Sequence, residues 1–266
     1  MGKIENTFSE LNLRGRKVFI AYITAGDPSL EATVSIVREL EANGVDMVEL
    51  GVPFSDPIAD GPVNQEAANR ALKNVVNLEG IFGTVRSIRQ ETNIPLILFT
   101  YYNILLQYGL DKFVLEAEQS GIDGVLVLDL PPEEAGEYKA LMNTHNLETI
   151  FLVSPVTPEE RIEHIARLAS GFVYYVSQMG VTGERRSVAA AVPGMIQRIK
   201  EKTSVPVAVG FGISTPDHVR EVASYVDGLI VGSAIVKRIG ELGTNPGFEK
   251  EIGAYAGKLT APLKGP

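Results

Sequence analysis

Short apolar runs rich in β-branched and aromatic residues recur along the chain, and between them apolar positions return every three or four residues. Eight runs stand out: Lys17–Ile23, Asp46–Leu50, Pro95–Thr100, Gly124–Asp129, Thr149–Ser154, Phe172–Ser177, Pro206–Gly210 and Gly228–Gly232. Their compact Val, Ile, Leu and Phe content is the pattern of parallel strands buried on both faces. The intervening segments carry helix start signals. Ser29 precedes Leu30–Leu40, and Pro132-Glu133-Glu134 opens a helix towards Met142. Thr157-Pro158-Glu159-Glu160 combines a cap, a first-turn proline and a capping-box glutamate, and Thr215-Pro216-Asp217-His218 repeats the device before Val219–Tyr225.

Eight strand-then-helix units predict a single (β/α)8 TIM barrel over residues 1–266. An open doubly wound sheet is the alternative, but such sheets rarely reach eight regular units. A helix over Ile4–Leu11 is expected to cap the barrel floor. Two extended loops interrupt the alternation, Pro53–Gly61 after the second strand and Gly180–Ala191 after the sixth. Both follow strands, so both are expected on the face where these barrels build active sites.

Composition narrows the class. Of 266 residues 45% are hydrophobic, enough for a substantial core, yet no run approaches the ~20 apolar residues that cross a bilayer. Met1 to Asn12 has no apolar signal-peptide centre, and with zero cysteines there is neither disulfide nor thiolate site, so the cytoplasm is the expected compartment. A net charge of −9 without a basic cluster argues against nucleic acid. His145, His164 and His218 lie in or at the ends of helical segments, without partners at metal-ligand spacing.

The chemistry concentrates in Val48-Glu49-Leu50-Gly51-Val52-Pro53-Phe54-Ser55-Asp56-Pro57-Ile58-Ala59-Asp60-Gly61-Pro62. Glu49 stands at the end of a strand. Three prolines stiffen the loop that follows, which lowers the entropy lost on ordering it. A stiffened loop carrying Asp56 and Asp60 beside Glu49 suggests carboxylates held for acid–base work, although an acidic, solvated turn fits the same residues. Two glycine loops, Gly210-Phe211-Gly212-Ile213-Ser214 and Val231-Gly232-Ser233-Ala234-Ile235, follow strands seven and eight. Such loops commonly bind phosphate in barrels, through backbone N–H groups and a helix N-terminus. Phe211, Gly212, Gly232 and Ser233 are the expected ligands, with Gly183 a third contributor. Tight turns alone would also call for these glycines. Strand two is expected to lie across the barrel from strands seven and eight, so that a substrate bridges the acids and the phosphate loops. Asp129, Tyr101 and Asn103 at strand ends and Tyr174 in strand six are further polar candidates. Phe19, Tyr22, Phe99 and Phe211 would form an aromatic wall.

These segments, with Ala21-Tyr22-Ile23-Thr24-Ala25-Gly26-Asp27-Pro28 and Gly180-Val181-Thr182-Gly183, resemble the tryptophan synthase α-subunit family, in the same order from about residue 3 to residue 240. The Glu49-to-Pro62 motif is the specific part. The resemblance implies retro-aldol cleavage of indole-3-glycerol phosphate to indole and glyceraldehyde 3-phosphate. Glu49 and Asp60 would be catalytic with Tyr174; Tyr22, Phe99, Tyr101, Asp129 and Thr182 would hold the indole and glycerol parts. It implies no metal and no cofactor on this chain. Pyridoxal phosphate belongs to a β subunit, expected as partner in an α2β2 heterotetramer, with Pro53–Pro62 and Gly180–Val192 as contact and gating loops. A stand-alone lyase, a phosphosugar isomerase or aldolase barrel, and a silent scaffold barrel remain alternatives.

Overall fold

The computed structural model describes residues 2–177, 185–210 and 212–264, the side chains of 185–191 excepted. Its elements run α1 (Lys3–Leu13), β1 (Val18–Thr24), α2 (Leu30–Ala42), β2 (Met47–Gly51), α3 (Pro62–Leu72), α4 (Leu78–Glu91), β3 (Leu96–Thr100), α5 (Tyr102–Tyr108), α6 (Leu110–Ser120), β4 (Gly124–Val127) and α7 (Gly136–Thr144). Then come β5 (Glu148–Val153), α8 (Glu159–Leu168), β6 (Val173–Val176), α9 (Arg185–Lys200), β7 (Val207–Gly210), α10 (Pro216–Ala223), β8 (Gly228–Val231), α11 (Ser233–Leu242) and α12 (Phe248–Thr260). The eight strands are parallel and close in sequence order, β8 pairing back on β1.

Side-chain alternation sorts the strands into two cores. Val18, Ile20, Met47, Ile97, Leu126, Ile150, Phe172, Tyr174, Ala208 and Ile230 fill the barrel interior. Their neighbours, such as Phe19, Val48, Leu98, Val125 and Tyr175, pack outward under the helices. Phe19 therefore belongs to the helix layer and not to an aromatic wall. The interior is closed at its base by α1, whose Ile4, Phe8 and Leu11 lie one turn apart and join the inner core, Phe8 ring-to-ring with Phe172 at 5.7 Å. The expected floor cap is present.

Several local expectations change. The helix opened by Pro132 breaks into a 3-10 turn, Pro132–Glu134, and α7. Thr157 does not cap α8: its Oγ1 accepts the Ser154 N–H at 2.9 Å, and Pro158 takes the cap position. Ser29 and Thr215 do cap, accepting from Ala32 N–H and His218 N–H. The β2–β3 connection holds two helices after its loop. The stretch Gly180–Ala191 is not a loop to its end, since α9 begins at Arg185 in an Ala-rich sequence of high helix propensity. The tail beyond Glu241 forms α12, which packs on α2 through a hydrogen bond from Thr260 Oγ1 to the Asn43 carbonyl.

Closing in sequence order also corrects the layout of the sheet. Strand two is not across the barrel from strands seven and eight; only β1 separates β2 from β8.

Candidate active site

Where the C-terminal strand ends open, a cavity of about 740 Å3 is lined by Tyr22, Asp60, Asn64, Phe99, Asp129, Tyr174, Gly212, Gly232 and Ser233 among others. Residues from the acidic loop and from both glycine loops meet in this one space. The volume is ordinary for a small-molecule site, and the wall is mostly apolar with a few polar groups.

Glu49 occupies the middle of β2, in register with Tyr22 on β1 and Ile97 on β3, and points into the barrel. It is fully buried, and among the described residues neither carboxyl oxygen has a hydrogen-bond partner. Burial alone pushes its pKa up to about 8, because an ion without partners is strongly disfavoured away from water. It sits just below the cavity surface, not on it. The phenols of Tyr22 and Tyr174, both in the lining, are driven well up, chiefly by burial, then by the Asp60 and Glu49 charges at Tyr22 and the Glu49 charge at Tyr174.

Asp60 stands at the cavity rim on the loop between β2 and α3. Its Oδ2 accepts the Tyr101 hydroxyl at 2.8 Å and its Oδ1 the Asn64 amide at 3.5 Å. Desolvation raises its pKa, and these two donors oppose the rise. The two acids therefore differ in kind: Glu49 favours its protonated form, while Asp60 has donors that favour the carboxylate. Paired groups whose surroundings push them apart can divide acid and base roles.

Two glycines make room for the tyrosines. A Cβ at Gly51 would collide with the Tyr22 hydroxyl, and one at Gly210 with the Tyr174 hydroxyl. Tyr22 also packs edge-on against Phe99, ring centroids 4.9 Å apart, and lies beside Gly232. It thus stands between Glu49 on one neighbouring strand and the β8 loop on the other. Tyr174 faces the interior and Tyr175 the helices, as alternation requires.

At the other end, Gly232 precedes α11 and offers no side-chain cap. The first N–H groups of that helix have no intrahelical partner, and Gly232, Ser233 and Ala234 line the cavity. Gly212, with φ of 76°, and Ser214 face them from the β7 loop. Backbone N–H groups at an uncapped helix N-terminus are of a kind that can receive an anion.

Other expectations fare variously. Asp129 lines the cavity but lies two residues past the end of β4, its Oδ1 accepting the Tyr102 N–H at 2.7 Å. Tyr101 does not line the cavity; its hydroxyl reaches Asp60 instead. Asn103 is exposed on α5. Thr182, Gly183 and Phe211 lie outside the described residues. Asn64, Arg161 and Lys237 line the cavity without having been anticipated. Asn64 and Lys237 follow Asp60 and Ser233 by one helical turn, a signal the sequence did hold. Arg161 shows none.

Comparison with known proteins gives the chain a family. Residues 8–260 match the family model of the tryptophan synthase alpha chain. Tryptophan synthase alpha chains of Geotalea daltonii and Geobacter sulfurreducens are 50% and 51% identical over 238 and 237 residues. These matches cover 90% and 89% of this chain and 90% of each relative. The alpha subunit structure from Legionella pneumophila superposes with a TM-score of 0.92 at 37% identity, covering 99% of this chain and 98% of that one. A chain of the tryptophan synthase α2β2 complex of Pyrococcus furiosus gives 0.84 at 36% identity, over 92% and 99%. The chain belongs to the tryptophan synthase alpha chain family.

Proposed function

We infer that this chain cleaves indole-3-glycerol phosphate to indole and glyceraldehyde 3-phosphate, the α reaction of tryptophan biosynthesis. The observation that carries the reading is a fully buried Glu49, without a hydrogen-bond partner among the described residues, under a cavity that also receives Asp60 and an open helix N-terminus.

The phosphate sits on the first turn of α11, with Gly212, Gly232 and Ser233, and the residues Gly183 and Phe211 join it. The indole lies against Tyr22, Phe99 and Tyr174, near Asp129 and Thr182. Glu49, as the neutral acid, protonates indole C3. Asp60 accepts a hydrogen bond from the ring N–H and stabilises the positive charge that protonation creates. Glu49, now ionised, takes the proton of the adjacent glycerol hydroxyl as the C–C bond breaks. The bonding pair returns to the ring, indole and the aldehyde form, and Glu49 recovers its proton. Because Glu49 starts below the cavity surface, its side chain must swing up as substrate binds. Among the described residues no hydrogen bond holds it down.

The steps are proton transfers, so this reading gives the chain no cofactor and leaves pyridoxal phosphate to a β subunit. That partner would complete an α2β2 assembly in the cytoplasm.

The test is indole release from indole-3-glycerol phosphate by the purified chain, with and without a β subunit. Slow turnover alone and strong acceleration by the partner is the expected result. Fast unaccelerated turnover would point to a stand-alone lyase, and none in either condition would overturn the reading.

A further inference from the structure

We propose that Tyr101 is the positioning residue for Asp60, anchoring the acidic loop to strand β3 through one hydroxyl. The proposal rests on the reading of Asp60 as a reacting acid and adds what holds it in place.

The loop from Ser55 to Gly61 has little of its own to fix it. Ser55, Asp56, Ile58 and Ala59 are exposed, and the bonds from Ile58 N–H to Asp56 and from Asp60 N–H to Pro57 are internal to it. From α3, Gln65 reaches only the Asp60 backbone carbonyl, and Asn64 reaches the carboxyl at the long limit of 3.5 Å. The Tyr101 hydroxyl does two things at once. It donates to Asp60 Oδ2 at 2.8 Å and accepts the Ala59 N–H at 3.1 Å. Its ring is buried and rests on Phe54, centroids 5.0 Å apart, directly beyond the last residue of β3. A rigid barrel strand thereby sets both the backbone and the carboxyl of the loop, as a reactive group needs. With both bonds made to the loop, the hydroxyl acts on the reaction through Asp60.

Donation to the carboxylate also favours its ionised form. Among the described residues, the charged or titratable groups facing the pair are Tyr22 towards Asp60 and Asp129 towards Tyr101. Neither donates to the Asp60 carboxyl, so losing the Tyr101 hydroxyl should raise its pKa.

The test is Tyr101→Phe in the full-length chain, which keeps the ring and its contact with Phe54. Expected are a kcat lower by roughly 10- to 100-fold, the range of a hydrogen bond to a charged group, and a KM that moves far less. The acid limb of the pH profile should move to higher pH. In an Asp60→Asn background the same substitution should cost nothing further. An unchanged kcat and acid limb, or a double variant losing the product of both single losses, would overturn the proposal. If Asp60→Asn alone proves fully active, the reading of Asp60 fails and the tether is judged by carboxyl NMR titration. There Tyr101→Phe must raise the Asp60 pKa; an unmoved titration would overturn the tether as well.

Discussion

Three buried carboxyls in this molecule show how much the surroundings of a residue decide. Asp27 is gripped by Arg70 through two bonds of 2.8 Å, and Glu148 accepts the N–H groups of Ile4 and Glu5. Both have hydrogen-bond partners that give them a structural role. Glu49 has none among the described residues, and an unsatisfied buried acid is rare enough to demand a function. Glu49→Gln, nearly the same in shape, is therefore expected to keep KM while lowering kcat by roughly 10²- to 10⁴-fold, the usual contribution of a positioned acid–base group. Steady-state indole release measures it, and substantial residual turnover would exclude Glu49 as the proton shuttle. Asp60→Asn should be nearly as damaging, because an amide cannot balance a cationic ring; wild-type rates in the same assay would assign the loop another role. Both acids were legible in the sequence, although Glu49, expected at a strand end, lies in the middle of β2, because the strand runs on to Gly51; Asp60 lies in the proline-stiffened loop. The Tyr101 contact was not legible, because it joins residues 41 apart through a fold that only the closed barrel creates.

Among the elements, those written by local physics were the easiest to anticipate. Parallel strands covered on both sides need continuous apolar runs, and all eight were visible as such. Ser29 and Thr215 cap as their spacing implies. Thr157 fails because a nearer donor, the Ser154 N–H, captures its hydroxyl, and sequence spacing does not rank competing donors. The placement of strand two was misjudged because strand order around a closed barrel is circular, which brings β8 beside β1. The floor helix α1 permits a test at this scale. Phe8 is 3% exposed and seals the base of the barrel, far from the strand ends that carry the cavity. Phe8→Ala is expected to cost about 3–5 kcal/mol in urea unfolding while leaving KM unchanged, as a cavity in a packed core does. A loss below about 1 kcal/mol would mean that α1 is a loose cover and not part of the core.

For the whole molecule, holding Glu49 ready has a consequence in stability. Its pKa is about 8 in the folded protein against 4.5 unperturbed, so between these values the folded chain keeps a proton that the unfolded chain has released. Stability from this group is fully present below pH 4.5, falls as pH rises, and is gone above about 8, where an ion without partners would be buried. Glu148, raised to about 7, acts in the same direction, but it is present in both wild type and Glu49→Gln and cancels from their difference. The neutral glutamine does not titrate. The variant's advantage over wild type should therefore grow from pH 5 to pH 9 by something on the order of a few kcal/mol. Urea unfolding of the two proteins across that range is the measurement. Parallel stability curves would mean that Glu49 does not hold its proton through burial, and the acid role assigned to it would lose its physical basis. A widening gap would show that the site keeps its acid charged with a proton at the expense of the fold, as stability traded for activity predicts.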